Sequence, residues 1–380
     1  MRLRSLNYAQ FEGQPKQWRL EGLSLENVNL LVGKNASGKS RTLSVINSLA
    51  LLLSRMPKVS FISGNYDAVF GDGEMELEYR LKYEQNQVTF EQFSLDGRRL
   101  LERGEHGIGR IWAEKNDDWM DFQAPEDQLA AVARQDSIQH SYFAHLHKWA
   151  QALYFYPFGT PLGHDRLAII VKDAQVPFDP KDTGNVVAIF RRGVKDYGDR
   201  FKECVLSDMC DIGFPLTAVD TQPVELITIT GPLSGPPVGL CVQEKALRGS
   251  TEQTDMSQGM FRSLSVIIQI TYAQMSSTPG SVLIDDIGEG LDFERSCRLI
   301  KLLVSKAERS SVQLIMSTND RFVMNAVSLE AWSVLRRSGG DSRVFNYRNS
   351  RAKFDEFKFT GMNNFDFFAA DFLADGDDER

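Results

Sequence analysis

The sequence predicts an α/β protein with a glycine-rich loop at one end of its sheet, a small antiparallel β subdomain and an inserted helical lobe. Three observations support this class. An apolar stretch over 27–32 runs into the glycine-rich loop, and apolar residues at helical spacing follow over 39–55. Strict alternation of apolar and polar residues over 75–90 is typical of a half-buried hairpin. A second apolar strand, 282–284, ends in two aspartates late in the chain and returns to the sheet after the helical middle.

The chain of 380 residues is longer than an average domain, so we expect one large domain with an inserted lobe. We divide it into four parts. These are an N-terminal part with the glycine loop and the antiparallel subdomain (1–125), a helical and mixed lobe (126–250), the second part of the main domain (251–348), and an aromatic C-terminal segment with an acidic tail (349–380).

The remaining elements follow in order along the chain. A hairpin near Gly13 opens the protein, and a third antiparallel strand after the Asp96-Gly97 turn extends the small sheet over roughly 70–115. Further predicted elements are helical segments over 126–151 and 185–209 and strands over 152–158, 224–230 and 239–243. No sustained heptad pattern occurs between Ser40 and Ser257, which excludes the long coiled-coil arms of an SMC-type machine.

Composition and charge exclude several classes of protein. The net charge of -8 gives no overall field that would attract nucleic acid or an anionic membrane. Four scattered cysteines without a C-x-x-C pair favour a reducing cytoplasm, and the five histidines match no zinc signature. No apolar run approaches the roughly 20 residues of a membrane span, and the N-terminus lacks a signal peptide. We therefore expect a cytoplasmic protein without a structural metal and without a membrane partner.

The glycine-rich loop is a Walker A motif. It consists of Gly33, Lys34, Asn35, Ala36, Ser37, Gly38, Lys39 and Ser40, and matches G-x-x-x-x-G-K-[ST] between a strand and a helix. Its glycines let backbone N–H groups turn toward phosphate oxygens, and the helix N-terminus adds positive potential. We expect Lys39 to reach the β and γ phosphates of ATP, Ser40 to ligate Mg²⁺, and Arg41 to flank the nucleotide. The alternative is a glycine turn with an incidental lysine.

The segment Ser281–Asp292 is predicted to be a Walker B strand and the loop after it. The strand delivers Asp285 to the carboxyl end of a sheet, where it can hold a water of the Mg²⁺ shell. Asp286 follows where a catalytic carboxylate orients the attacking water. Taken alone, this pattern is equally consistent with a solvated strand end.

The segment from Met256 to Met260 precedes an apolar helix and is similar to the LSGGQ signature. Ser257 and Gly259 would open a helix whose N-terminal amides and hydroxyl face a γ-phosphate. A helix N-cap is the alternative interpretation. The signature, its helix and the Walker B strand follow one another closely, late in a chain that begins with Walker A.

This order of motifs resembles the compact ABC-type ATPases of the RecF, SMC and OLD group, especially stand-alone prokaryotic heads of anti-phage defence systems of the PARIS or AbiL kind. Residue for residue, the resemblance covers the three motifs and the strand over 312–318. It implies a P-loop NTPase with an ABC-type head that binds ATP and Mg²⁺, hydrolyses ATP, and self-associates as a dimer or ring. In such heads Asp292, after Leu291, corresponds to the D-loop.

Two positions depart from the pattern that the resemblance implies. Asn319 stands where the group has a switch histidine, and an amide can hydrogen-bond a γ-phosphate or a water but cannot become cationic. Asp286 replaces a glutamate, which shortens the reach by one methylene. Both changes predict slow hydrolysis, and Glu289 is near enough in sequence to be a substitute carboxylate.

Two sets of aromatic residues have open interpretations. Tyr8 and Phe11 are candidates for stacking on adenine, with ordinary core packing as the alternative. Seven phenylalanines lie over 354–372, ahead of the acidic tail. They either pack on the head or form an exposed docking patch for a partner.

Three hypotheses of function follow. The first is a nucleotide-driven switch in bacterial defence, which controls a separate effector such as a nuclease or Toprim-type protein because this chain shows no nuclease motif. The second is a DNA repair ATPase of RecF type, for which the sequence offers only the clusters Arg98-Arg99, Arg191-Arg192 and Arg336-Arg337. The third is an ATP sensor that does not hydrolyse, favoured by Asn319 and Asp286.

Overall fold

The computed structural model describes residues 1–169, 178–224, 235–276, 280–310 and 312–373. The strands are β1 (Arg2–Gln10), β2 (Trp18–Ser24), β3 (Val28–Val32), β4 (Ser63–Gly71), β5 (Glu76–Glu84), β6 (Gln87–Leu95), β7 (Arg98–Arg103), β8 (Ile108–Ala113), β9 (Asp118–Gln123), β10 (Leu153–Pro157), β11 (Ala168–Ile169), β12 (Leu216–Pro223), β13 (Pro237–Glu244), β14 (Thr251–Glu252), β15 (Ser281–Asp285), β16 (Gln313–Ser317), β17 (Trp332–Ser338) and β18 (Asp341–Asn346). The helices are α1 (Lys39–Ser54), α2 (Ala130–Ala133), α3 (Phe143–Gln151), α4 (Val186–Tyr197), α5 (Asp199–Asp211), α6 (Gln258–Ser276), α7 (Phe293–Ser310), α8 (Arg321–Ala326), α9 (Arg351–Lys358) and α10 (Asn364–Ala369). Within these ranges, no helix combines the length and the apolar composition that a membrane crossing needs.

Fourteen of the described strands join one large sheet in the order β10-β15-β16-β3-β17-β18-β2-β1-β4-β5-β6-β7-β8-β9. The first five run parallel to one another. This parallel half places β3 beside β16 and β16 beside β15, so strands far apart in sequence end at the same edge of the sheet. The predicted α/β class is confirmed.

The antiparallel half is larger than the sequence predicted. The alternating hairpin is β5–β6, with Leu77, Tyr79 and Leu81 buried on the inner face. The antiparallel strands extend over 63–123 instead of roughly 70–115, because β4 pairs with β1 and the hairpin β8–β9 follows β7. No local pattern in the sequence marked these two additions.

A buried ion pair fastens the antiparallel half to the segment that follows it. Glu91 on β6 and Arg103 on β7 are both fully buried, 3.5 Å apart. Glu91 accepts hydrogen bonds from the hydroxyl of Tyr79 and from the backbone N–H groups of Ala130 and Ala131. Arg103 donates to backbone carbonyls just before α2. Because these bonds join β6 and β7 to the segment around α2, this pair has a structural role.

Each face of the sheet packs against its own hydrophobic core. Alternate residues of β3 divide between them: Leu31 belongs to the core under α1 and α3, while Leu30 and Val32 belong to the core under α6 and α7. His147 links α3 to α1 and α2, because its two ring nitrogens lie 2.9 Å from the carbonyl oxygens of Leu53 and Ala131.

The predicted helical segments are more broken in the structure. The segment 126–151 holds only α2 and α3, with turns over 134–142 between them. The segment 185–209 divides into α4 and α5 at Gly198, whose φ of 59° favours glycine. These two helices pack on α6 and also contact the second sheet, which is formed by the described strands β11, β12, β13 and β14.

The strand predicted over 239–243 is confirmed as part of β13. The strand predicted over 224–230 lies, beyond its first residue, outside the described residues. β12, which precedes that segment, was not predicted.

The C-terminal aromatic segment packs on the head. Phe354, Phe357 and Phe367 are at most 1% exposed, and Phe365, Phe368 and Phe372 pack against the same core. Phe359 is the exception, with 91% of its surface exposed. The alternative of an extended exposed patch is therefore wrong for all but this residue.

Candidate functional site

The candidate residues gather at the carboxyl edge of the parallel half. β3 leads into the glycine loop, β16 ends at Ser317 and is followed by Thr318 and Asn319, and β15 ends at Asp285. β10 ends beside β15, with Pro157 paired to Asp285. The order of the strands brings together residues that the sequence separates by more than two hundred positions.

The glycine loop takes a shape that needs small residues. A Cβ at Gly33 would lie 2.5 Å from Ser37 Oγ and 2.7 Å from a carbonyl of β17, so no side chain fits there. Gly38 has φ 109° directly before α1, and Ala36 has φ 63°. Ser342 donates a hydrogen bond to the carbonyl of Ser37 and fixes the middle of the loop. The loop is thus a preformed turn at a helix N-terminus, where an anion is favoured.

Lys39 lies buried inside this turn. Its Nζ donates to the carbonyl oxygen of Gly33 at 2.8 Å and is 3.4 Å from that of Lys34. Burial lowers the pKa of Lys39, while the charges of Asp286 and Asp285 oppose that shift. Two backbone carbonyls leave a buried ammonium short of a full counter-charge, so a phosphate would be a better partner.

A cavity of about 400 Å³ opens in front of the loop. It is lined by Trp18, Asn35, Ala36, Gly38, Lys39, Ser40, Arg41, Asp286, Asn319 and Arg337. Ser40 is exposed at the start of α1. Lys34, which is 80% exposed, points instead toward Asp371 of the C-terminal segment at 3.9 Å.

The two aspartates after β15 have different surroundings. Ser317 of the neighbouring strand joins them, because its hydroxyl donates to Asp285 Oδ1 at 2.5 Å and accepts from the backbone N–H of Asp286 at 2.9 Å. Asp286 has φ 53°, which turns its side chain away from the strand direction and toward the cavity. Asn319 donates to Asp286 Oδ1 at 3.3 Å.

Asp286 and Glu289 differ in their surroundings. Burial raises the pKa of Asp286, the charges of Asp285 and Glu289 raise it further, and Lys39 opposes them. Asp286 lines the cavity, whereas Glu289 does not, has a side chain 55% exposed, and lies 3.7 Å from Arg262. Of the two carboxylates, only Asp286 therefore faces the cavity in front of the glycine loop.

The signature segment lies against the loop after β15, and neither Ser257 nor Gly259 lines the cavity. Ser257 accepts the backbone N–H of Met260 at 3.3 Å and so caps α6. A Cβ at Gly259 would lie 2.4 Å from the carbonyl oxygen of Gly290. Asp292 lies two residues after Gly290. Its carboxylate accepts the backbone N–H of Arg295, which lowers the pKa of Asp292, and pairs with the Arg295 guanidinium at 2.7 Å.

Sequence inspection missed Arg262, the residue that holds this region together. It is buried on α6 and donates to the carbonyl oxygens of Thr160, Gly159 and Glu289 at 3.0, 3.2 and 3.1 Å. Backbone carbonyls belong to every residue, so these partners leave no signal in the sequence. The only sequence hint is that Arg262 is the one charged residue of α6.

The two candidates for an adenine contact are not among the residues that line the cavity. Tyr8 is 5% exposed and packs edge-on against Tyr66, and Phe11 lies at the hairpin under Lys16. Neither lines the cavity. The aromatic residue that does is Trp18, with the guanidinium of Arg41 4.3 Å from its ring centroid.

The arginine clusters weighed as DNA contacts are partly neutralised. One arginine in each has a carboxylate partner: Arg99 pairs with Glu102, Arg192 with Asp196, and Arg336 with Asp371. Ion-paired surface arginines of this kind are typical of a solvated face. They give the DNA hypothesis no support beyond that of the sequence.

The residues at this edge fit a nucleotide with magnesium. In the described ranges, no three or more His, Cys, Asp or Glu side chains converge as a metal site. A magnesium ion would therefore depend on the Ser40 hydroxyl, a water on Asp285 and phosphate oxygens. That is the ligand set Mg²⁺ prefers, with few carboxylates and several waters.

Comparison with known proteins identifies the fold. No protein-family model matches the chain, and no curated protein matches it. Among solved structures, an SMC head bound to the C-winged helix domain of ScpA matches with a TM-score of 0.51 and 13% identity, over 91% of this chain and 97% of that one. The described chain therefore has the fold of an SMC head, an ABC-type ATPase fold.

Two further heads are similar at lower scores. The SMC head domain from Thermotoga maritima has 15% identity and a TM-score of 0.44, over 91% of this chain and 99% of that one. The Smc head from Pyrococcus furiosus, solved with an extended coiled coil and the C-terminal domain of ScpA, has 11% identity and a TM-score of 0.48, over 94% and 99%. The longest helix in the described part of this chain has 19 residues, so that part contains no long coiled-coil arm.

Proposed function

We propose that this chain binds Mg-ATP at the carboxyl edge of the parallel strands, hydrolyses it slowly, and self-associates when ATP is bound. One observation carries the proposal. The strand order of an SMC-head fold brings a buried, incompletely paired Lys39 to the same cavity as Asp286 and Asn319. A glycine loop that can hold phosphates, together with a carboxylate and an amide that can position a water, supplies parts that phosphoryl transfer to water uses.

Each residue has a separable role in this proposal. The backbone of Gly33–Ser40 and the N-terminus of α1 hold the phosphates, and Lys39 neutralises the β and γ phosphates. Ser40 and a water on Asp285 hold Mg²⁺, which stabilises the charge that develops on the phosphoryl oxygens. Asp286 orients the attacking water, and Asn319 fixes its carboxylate at 3.3 Å. Arg41 lies beside the nucleotide on Trp18.

Self-association follows from the location of the signature. Ser257 and Gly259 do not line the cavity of their own chain, so the signature of a second copy would have to close the site. Two such contacts form an isologous interface in a dimer, and a heterologous one in a ring. ADP lacks the γ-phosphate that the helix N-terminus would contact, so only ATP should join the heads.

Light scattering or native mass measurement of the purified chain tests this proposal. We expect a non-hydrolysable ATP analogue to increase the mass, ADP to leave it unchanged, and Ser257→Arg to abolish the increase. Ser137→Arg is the matched control, because Ser137 is exposed in the turns between α2 and α3. An assembly indifferent to both nucleotide and Ser257→Arg would refute association through the signature.

The biological setting is a further part of the proposal. We propose that ATP-dependent association controls a separate effector protein, such as a nuclease, in bacterial anti-phage defence. Motif resemblance supports this setting, and the similar SMC head was solved with the C-winged helix domain of ScpA, so this fold accommodates a partner protein. The free cysteines fit a cytoplasmic location. Identifying proteins that co-purify with the tagged chain from its own host tests it, and the absence of any specific partner would count against it.

An ATP sensor is the second candidate, favoured by Asn319 at the position of a switch histidine. The amide hydrogen-bonds Asp286 but cannot become cationic. Phosphate release from the assembled chain decides between the two candidates. Stable association with ATP and no phosphate release over hours would establish the sensor and exclude the ATPase.

A further inference from the structure

Side chains of α6, and of Gln253 just before it, bind backbone carbonyls of the loop after β10. Arg262 binds the carbonyls of Gly159 and Thr160. Ser265, one turn further along α6, donates to the carbonyl of Leu162 at 3.1 Å. Gln253, fully buried before α6, lies within 3.0 Å of the carbonyls of Gly163, His164 and Arg166. The loop and the signature helix are therefore expected to move as one body.

The start of this loop, at Gly159, also packs against Asp286, the carboxylate proposed to orient water. The backbone N–H of Gly159 donates to the carbonyl of Asp285 at 3.2 Å. A Cβ at Gly159 would lie 3.0 Å from the Cβ of Asp286 and 3.1 Å from Glu289 Oε2, so the glycine backbone is packed directly against both residues. Arg262 also binds the carbonyl of Glu289 at 3.1 Å. A displacement of α6 would therefore reach Asp286 in two ways: through the backbone of Gly159, and through the backbone of Glu289.

We propose that Arg262 is a positioning residue that couples the two ATP sites of an associated pair. The inference rests on the proposed function. In an associated pair, the signature of one chain contacts the ATP of the other, whereas Arg262 leads from that signature to Asp286 of its own chain. ATP bound in one site thus determines the position of the Asp286 carboxylate in the second site. Hydrolysis becomes cooperative even though the two nucleotides do not touch.

The guanidinium is suited to this role because of its shape. Its five N–H donors form a rigid fork that can bind three carbonyls from two loops at once. A lysine keeps the positive charge but presents a single ammonium, which cannot span the same carbonyls. Arg262→Lys therefore removes the geometry and retains the charge.

The experiment compares the full-length wild type, Arg262→Lys and Arg298→Lys. Arg298 is the matched control, since it makes an exposed i,i+4 pair with Glu294 on α7. Three measurements are made: thermal unfolding, mass with a non-hydrolysable ATP analogue, and hydrolysis rate against ATP concentration. We expect a sigmoidal rate curve for wild type and Arg298→Lys. Arg262→Lys should still associate, but with a hyperbolic curve and a turnover up to about a hundredfold lower, because a small misplacement of a catalytic group can cost that much.

Gly159→Ala provides a second variant at the other end of the path, in case Arg262→Lys does not fold. Its methyl group presses on Asp286 and should give the same loss of sigmoidal behaviour with association retained. A merely structural role for Arg262 would lower the unfolding temperature without changing the shape of the rate curve.

The outcomes separate the coupling from the function on which it rests. A hyperbolic wild type that associates and hydrolyses overturns the coupling alone. A sigmoidal curve retained by folded Arg262→Lys or by Gly159→Ala also overturns it. A wild type that does not associate with ATP overturns the proposed function and the coupling together.

Discussion

The two halves of the large sheet use charged side chains in opposite ways. In the parallel half, Lys39, Asp285 and Asp286 lie at or beyond the carboxyl ends of the strands, and each has few partners within the protein. In the antiparallel half, Glu91 within β6 and Arg103 at the end of β7 are fully buried and bind each other, the hydroxyl of Tyr79 and the backbone around α2. Charged groups at the open carboxyl edge keep bonding capacity for a ligand, whereas the buried pair bonds within the fold.

The difference follows from strand direction. Parallel strands need crossovers, so their carboxyl ends gather loops and helix N-termini at one edge. Antiparallel strands joined by tight turns have no such edge. Substitutions in the parallel half should therefore change activity more than stability, and substitutions in the antiparallel half should do the reverse.

The largest expected effect is on nucleotide binding by the parallel half. Lys39→Ala removes the buried ammonium and should weaken ATP binding by roughly a hundredfold, the equivalent of about 3 kcal/mol for charged hydrogen bonds. Lys34→Ala is the control in the same loop, because Lys34 is 80% exposed and should change affinity by less than about threefold. Titration with a fluorescent ATP analogue measures both. Equal effects at the two lysines would contradict the assigned site.

The next effect separates the two carboxylates. Asp286→Asn should reduce turnover by about a hundredfold or more while ATP still binds, since a positioned general base contributes at least that much. Glu289→Gln should reduce it by less than about tenfold, because Glu289 is mostly exposed and outside the cavity. Phosphate release at saturating ATP measures both variants. A larger loss at Glu289 would reverse the assignment.

Substitutions in the antiparallel half should change the free energy of unfolding. Glu91→Gln leaves Arg103 as an unpaired buried charge and should lower the free energy of unfolding by about 3–5 kcal/mol. Glu102→Gln is the control, because its pairs with Arg99 and Arg110 are exposed and contribute about 1 kcal/mol or less. Denaturant unfolding gives both values. Turnover per folded molecule should be unchanged in each variant, and a selective loss of turnover at Glu91 would break the division between the halves.

The smallest effect concerns pH. Asp286 must be ionised to orient water, and burial together with two neighbouring negative charges raises its pKa. Activity should therefore fall, as the pH is lowered, at a higher pH than for an ordinary aspartate. Glu289→Gln removes one of those charges, lowers the pKa of Asp286, and should move the acid limb of the kcat/KM profile to lower pH. An acid limb that moves upward or stays in place would show that a different group titrates.

Local patterns predicted the parts of the site that are contiguous in sequence. The glycine loop, α1 and the strand ending at Asp285 each follow from a few neighbouring residues, and the structure has all three elements in those places. The hairpin β5–β6 followed from alternation in the same way. These elements are specified by periodicity and turn chemistry, which a single sequence displays.

Contacts between distant segments could not be predicted. Trp18 reaches the loop through Ser342, which is more than three hundred residues away in sequence. Ser317 joins the two aspartates only because β16 lies beside β15. Arg262 and Gln253 bind backbone carbonyls, which any sequence supplies. Strand order and carbonyl partners arise from tertiary packing, which a single sequence does not display.

The close approach of Gly259 to Gly290 restricts how this chain can vary. A methyl group at position 259 would lie 2.4 Å from the carbonyl oxygen of Gly290, so the loop before Asp292 would have to withdraw. The two glycines therefore form one steric unit: a side chain at position 259 requires a compensating backbone change around position 290. Alanine scanning would misattribute that distortion to lost phosphate contact. Selection for second-site suppressors of Gly259→Ala should recover changes in 288–291.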